Sequence, residues 1–400
     1  MAGVVSLPDD TPRSSDRGSI AEMVDALPLV DHHCHGVVPE PLDRRDFESL
    51  LCEAAAPGPW HGSLFDTQVG FAVRRLCAPV LGLPPHAAAD AYLARRTELG
   101  GDEVSRRLLR AAGIEEFLVD TGFLADRLTP PDRLATDAGG RAREVVRLEP
   151  VAEAVIASGS VGAFADACRT TLATAAGTAV AFKSVAAYRV GLWLAPDRPS
   201  DAAVYTAAAR WASDIAAGAP VRLADETLIR FLIWTAVDLG LPLQFHVGYG
   251  DADTDLHRAD PLLLMPLLRA TADRGVPVML LHNYPFHRHA GYLAQVFDHV
   301  FVDVGLAVQN VGGGAVRVLT ELLELAPFGS VLFSSDGFGL PELFHIATAR
   351  FRSALVTVST TELAQGNWSF DDARRVARMI AADNARRAYG LGPGPAPSTG

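Results

Sequence analysis

The residues of this chain whose types can do chemistry together are the pair His33-x-His35, the separate His246 and His282, Lys183, and Asp336. Imidazole nitrogens and a carboxylate oxygen are donors that Zn²⁺, Mn²⁺ or Fe²⁺ accept, and a catalytic ion held by three or four of them keeps a position open for water. Each candidate falls at or near the end of a short apolar run, at 29–36, 180–184, 241–248, 279–283 and 331–337. Such runs, set between segments of helical pattern, read as buried parallel strands. In a (β/α) barrel the chemistry gathers at the C-terminal ends of the strands. The spacing therefore predicts one metal site built from strand ends, with His33, His35, His246 and Asp336 as ligands and His282 beside them.

Asp336 can hold the metal and take a proton from an attacking water. His282 can polarise a carbonyl oxygen or protonate a leaving group. Lys183 is the sole lysine among 35 basic residues. Arginine keeps its proton in a protein whereas lysine can become a neutral amine, so a lone lysine at a strand end marks a specific use. Carboxylated, it would bridge two ions as a further ligand; charged, it would pair with a substrate carboxylate; as a Schiff base it would sit poorly beside a metal. The first two readings stay open. Arg189 and Tyr188, on the loop after strand 4, are candidates to clamp an acidic group, and Glu342 to contact an amine. Alternation along strand 1 turns Asp31, His33 and His35 to one face, with His32 and Cys34 on the other, Cys34 as a core residue and His32 as a packed histidine or one that supports the ligands.

These strand ends call for an α/β fold: a (β/α)8 TIM-like barrel with a helical insertion after strand 1 and extra C-terminal helices. Strands are expected near 26–35, 115–120, 145–148, 179–182, 241–248, 276–281, 300–304 and 331–336. Helices are expected at 151–172, 201–217, 224–240, 340–357 and 370–389. Residues 1–19, rich in Ser, Asp, Pro and Gly, read as disordered. Residues 20–391 read as the barrel, with 37–112 as a helical cap, and 392–400 as a flexible tail. An insertion after strand 1 emerges on the catalytic face and is a candidate lid or oligomer contact; a homo-oligomer is expected. The cap pairs Arg74-Arg75 and Arg95-Arg96 are solvated faces more readily than anion contacts.

A net charge of -12 and the lack of any Lys/Arg-rich run argue against nucleic acid or an anionic membrane as partner. No apolar run approaches the ~20 residues that span a bilayer, and the opening residues lack the pattern of a secretory leader. Four scattered cysteines without C-x-x-C fit reduced thiols in a cytoplasmic enzyme acting on a small molecule.

The ordered set Asp31-x-His33-x-His35, Lys183, His246, His282 and Asp336 resembles the amidohydrolase superfamily. The C-terminal Asp383-Asn384-Ala385-Arg386-Arg387-x-Tyr389-Gly390 is similar to the end of its amidohydrolase-2 branch. The stretches Phe182-Lys183-Ser184-Val185-Ala186-Ala187-Tyr188-Arg189 and Leu280-Leu281-His282-Asn283-Tyr284-Pro285-Phe286 resemble nodulin-type domains found with glutamine-synthetase-like ligases. That resemblance implies one or two divalent ions, zinc before manganese or iron, and hydrolysis of a C–N amide bond in a small acidic substrate such as a γ-glutamyl amide. It also implies that Arg189 faces the glutamyl carboxylate and that such a ligase is a working partner. The same branch is similar to metal-dependent, non-oxidative decarboxylases of small carboxylic acids, which is the alternative activity. A scaffold with a vestigial site is a third reading, opposed by the filled ligand set.

Overall fold

The structure, a computed structural model, describes residues 14–54, 58, 60–159 and 161–392. Seven strands form one parallel sheet in sequential order: β1 (Leu29–Cys34), β2 (Ile114–Asp120), β3 (Arg141–Arg147), β4 (Ala181–Ser184), β5 (Leu243–Val247), β6 (Val278–His282) and β7 (Val300–Val302). Parallel neighbours require long crossovers, and the helical segments between strands supply them. Strands β1, β4, β5, β6 and β7 are buried along their whole length, which is why they read as unbroken apolar runs. β3 differs. Its Arg141 and Arg143 point outward and both pair with Glu116 of β2, so its first half is polar and escapes an apolar-run criterion.

The eighth position is an extended segment, not a laddered strand. Leu332 N donates to Val302 O at 2.9 Å on one side, and on the other His32 N donates to Phe333 O at 3.1 Å and His35 N to Gly337 O at 2.8 Å. Bridges also join Val302 to Val331 and Val37 to Gly339, so the curled sheet meets itself through residues 331–339. Asp336 adopts φ 49°, a left-handed conformation that interrupts regular pairing.

Two packing layers hold the site between them. Inside the ring of strands, Val30, Leu118, Val145, Ala181, Met279, Phe301 and Leu332 pack against Ala382, Ala385, Ala388 and Tyr389 of the C-terminal helical run. That run therefore plugs the end of the ring opposite the strand C-termini. Between β1 and β2 lie helices including Arg44–Ser49, Ala89–Leu99 and Gly101–Ala112. They bury Phe47, Phe65, Tyr92, Val104 and Leu108 against Leu340, Leu343 and Ile346 near the start of helix Pro341–Ala364.

Several expectations change. Helix Ser14–Asp25 occupies part of the stretch expected to be disordered, and its Ile20 and Val24 are core residues; residues 1–13 lie outside the described residues, as do 393–400 of the expected tail. The expected helix 151–172 is two helices, Leu148–Ala157 and Phe164–Ala175. None of the described helices is long and apolar enough to cross a membrane.

Candidate metal centre

β1 carries the first histidines, and its register with β2 shifts between Asp31 and Cys34. Simple alternation therefore fails here, and both His32 and His33 reach buried partners in the ring. His32 bonds Asp303 and Tyr389, each at 2.9 Å, so it belongs to the support of the site. Asp31 instead accepts hydrogen bonds from the Ser335 amide and hydroxyl, tying β1 to the closing segment. Cys34 is buried with its Sγ toward Leu118 O.

His33, His35 and Asp336 bring three potential ligand atoms within 4.8 Å of one another. His33 Nε2 is 3.3 Å and His35 Nε2 3.9 Å from Asp336 Oδ1. The opposite ring nitrogens explain why these rings present unprotonated nitrogens inward. His33 Nδ1 lies 2.9 Å from Gln244 Oε1 and His35 Nδ1 lies 3.1 Å from Asp120 O, both acceptors. Each Nδ1 must then carry the proton, which leaves each Nε2 as a donor of electrons to a metal. His282 Nδ1 is 3.6 Å from Asp336 Oδ2, and its ring centroid is 5.5 Å from that of His33 and 4.6 Å from that of His246. Lys183 Nζ reaches His33 Nε2 at 3.1 Å. The six sequence-predicted groups thus converge on one cavity of about 490 Å³ at the strand C-termini.

The donor set fits a divalent cation. His246 Nε2 and His282 Nδ1 are buried without a hydrogen-bond partner, an arrangement that costs about 1–3 kcal/mol per group unless something else satisfies it. Burial holds His33, His246 and His282 well below the usual imidazole range, with nearby Lys183 adding to the effect on the first two and His246 adding to that on His282. Burial likewise lowers His35 to about 4, against the pull of Asp120. Neutral imidazoles are the form that binds metal. Burial also lowers Lys183 to about 8 and raises the Asp336 carboxyl above its ordinary value. Strain concentrates at the same place. His282, Asn283 and Asp336 are three of the five described non-glycine residues with positive φ, each costing of order 1–3 kcal/mol. Asn283 braces its turn by donating to Asp303 O at 2.9 Å.

Tyr188 places its hydroxyl 3.3 Å from His246 Nδ1 at the cavity wall. Gly250 on the following loop lies directly above: a Cβ there would fall 2.1 Å from the Tyr188 hydroxyl and 2.8 Å from His246 Nε2, so a glycine is required for this approach. Arg189 also lines the cavity, but it is paired with Glu153 at 3.2 Å. Glu342 is corrected outright. It is fully buried away from the cavity, bonded to Arg96 Nε and the Tyr92 hydroxyl at 2.8 Å each, and pins the helices after β1 to helix Pro341–Ala364.

Strand-end logic applied to β2 and β3 would have found two further groups. Asp120 ends β2 and Arg147 ends β3; Arg147 Nη2 donates to Asp120 Oδ2 at 2.6 Å and Lys183 Nζ lies 3.9 Å from the same oxygen. Burial alone would raise the Asp120 carboxyl, but Arg147, His35 and Lys183 outweigh it and hold Asp120 far below the usual range. Gln244, two residues before His246 on the same face of β5, was equally findable.

A model described as Amidohydrolase matches residues 124–391. The chain is 35% identical over 225 residues to Protein fluG of Emericella nidulans, covering 53% of this chain and 26% of that protein, so it spans about a quarter of that relative's length. A solved structure from Lactobacillus casei ATCC 334, assigned as a metal-dependent hydrolase, aligns with TM-score 0.82 and 31% identity over 93% of this chain and 97% of that one. A uronate isomerase from Bacillus halodurans C-125 shares the fold, with TM-score 0.66 and 14% identity over 97% and 98% of the two chains. With well over half its residues inside one family model, and strand-end histidines meeting an aspartate in one cavity, the chain belongs to the amidohydrolase family.

Proposed function

We propose that this protein is a metal-dependent hydrolase that cleaves the C–N bond of a small acidic amide, such as a γ-glutamyl amide. The observation that carries the reading is the convergence of His33, His35, His246, His282, Lys183 and Asp336 on one cavity that Arg127, Arg147, Arg189 and Arg222 also line. His33 Nε2, His35 Nε2 and Asp336 would hold a divalent ion, zinc first, with His246 and Lys183 at hand for the same ion or a second. Such an ion supplies Lewis acidity and lowers the pKa of water toward neutrality.

This chain's own residues do the rest. Asp336, whose carboxyl is raised by burial, is placed to take a proton at Oδ2, 3.6 Å from His282 Nδ1. His282, neutral and without another partner, can receive that proton from Asp336 at Nδ1 and then pass it to a leaving amine. Arg189 and Tyr188 line the cavity, where a substrate carboxylate would meet the guanidinium. Glu53 and Asp251 line it too and suit the substrate's ammonium group.

The test is a metal analysis followed by a product assay. Protein loaded with zinc, manganese or iron is offered γ-glutamyl amides and, separately, aromatic or enoic acids. Amine release from the amides supports the proposal; CO₂ release from the acids, with no amine released, sinks it in favour of decarboxylation.

A further inference from the structure

Between the C-terminal end of the chain and His33 runs a row of buried hydrogen bonds that the proposed chemistry does not use. His33 Nδ1 lies 2.9 Å from Gln244 Oε1, Gln244 Nε2 lies 2.8 Å from the Tyr389 hydroxyl, that hydroxyl lies 2.9 Å from His32 Nδ1, and His32 Nε2 lies 2.9 Å from Asp303 Oδ2. All five side chains are buried.

The direction of this row follows from its ends. A carboxylate only accepts, so His32 carries its proton on Nε2 and presents a lone pair at Nδ1. The Tyr389 hydroxyl has one proton, and it must go to that lone pair. Tyr389 then receives from Gln244 Nε2, which also donates to His32 O at 2.8 Å, an atom that can only accept. Both bonds fix the Gln244 amide with Oε1 toward His33, so Nδ1 of His33 holds the proton and Nε2 is left bare toward Asp336.

We infer that Tyr389 is a positioning residue for the metal centre: together with Gln244, His32 and Asp303 it sets the tautomer of His33 through a one-way hydrogen-bond chain. This assigns a task to the C-terminal motif beyond packing, and it rests on the reading of His33 as a metal ligand. Outer hydrogen-bond partners of ligating histidines contribute about 10–100-fold to metal affinity. Tyr389→Phe keeps the ring and removes the hydroxyl, and Gln244 retains its bond to His32 O, so the lower end of that range is expected.

The experiment compares wild type with Tyr389→Phe. Circular dichroism and the unfolding midpoint first establish that both fold. Zinc affinity is measured by chelator competition, and the His33 tautomer by long-range ¹H–¹⁵N correlation in the metal-free proteins, assigned against His33→Asn. The inference expects Nδ1-protonated His33 in wild type, a mixed tautomer in Tyr389→Phe, and zinc binding weakened about ten-fold. An unchanged tautomer in the variant, or unchanged zinc affinity, overturns it. Wild-type protein that fails to bind zinc would instead overturn the metal reading, while the tautomer comparison still decides whether the chain acts. If Tyr389→Phe does not fold, Asp303→Asn serves in its place: an end group able to donate should shift the His33 proton to Nε2, and an unshifted proton overturns the inference.

Discussion

Lys183 Nζ touches the bare Nε2 of His33 at 3.1 Å, the same nitrogen that faces Asp336. The chain's one lysine thus stands buried within the candidate metal centre, 3.9 Å from Asp120 Oδ2. Lys183→Arg keeps a cation but loses access to a neutral amine and adds bulk beside the imidazoles. Turnover should fall at least about 100-fold, with the unfolding midpoint and circular dichroism little changed. Wild-type rates in that variant would remove lysine from the mechanism.

Removing the ion should separate stability from activity. Added zinc at about 100 times its dissociation constant should stabilise the fold by ~2.7 kcal/mol, since only the folded chain gathers the ligands. Asp336→Asn should lose most of that increment and nearly all turnover. Calorimetric scans with and without chelator measure it, and an equal increment in the variant would exclude Asp336 as a ligand.

The buried imidazoles give the metal-free protein a defined acid response. His35 has its folded pKa lowered to about 4, and His33, His246 and His282 lie well below 6.5. Their contribution is complete above the unfolded value of ~6.5 and is lost as pH falls, because the unfolded chain takes up protons that the folded chain refuses. Each imidazole in that state contributes a slope of about 1.4 kcal/mol per pH unit. Denaturant melts between pH 7 and 4 should therefore show stability falling with acid, at least as steeply when zinc is bound, because the ion also keeps protons off the folded imidazoles. A flat profile for the metal-free protein would contradict the burial described.

Glu342→Gln removes the negative charge that balances Arg96 in an enclosed site. Breaking a buried pair from one side costs about 3–5 kcal/mol. The loss should appear in the urea midpoint, whereas KM for an acidic amide should hardly move. A change in KM without a change in stability would restore Glu342 as a substrate contact.

Arg189→Met should act in the opposite sense. A charge-assisted hydrogen bond contributes about 1.5–3 kcal/mol, so KM for γ-glutamyl amides should rise at least about ten-fold while kcat changes less. Equal loss with an amide lacking the carboxylate would assign Arg189 to the ion pair with Glu153 alone.

What could be read in advance follows from how local each cue is. Lys183, His246, His282 and Asp336 were visible because each sits at the end of an apolar run, and strand ends are where a barrel exposes side chains to its cavity. Glu342 misled because a position just after Pro341 at a helix start looks like a loop near strand 8, while its partner Arg96 lies far away in the chain. Alternation set His32 on the face away from His33, which the register shift in β1 suspends, while its reading as a supporting histidine agrees with its bonds to Asp303 and Tyr389. Tyr389 showed only as part of a motif; its contact with Gln244 spans 145 positions and depends on the C-terminal run entering the ring from below. Helix Ser14–Asp25 was obscured by polar composition, though Ile20 and Val24 at a spacing of four already marked one buried stripe.

Because that C-terminal run stoppers the lower end of the ring, the described residues leave the cavity its opening on the catalytic side. Both fragments of a cleaved substrate must leave by the route the intact molecule entered. On the proposed reading, an acidic fragment held near the half-exposed Arg222 stands in the path of whatever lies deeper. Turnover should then carry the signature of an ordered exit: the acidic fragment, first to leave, inhibits noncompetitively against fresh substrate, and the amine, last to leave, inhibits competitively.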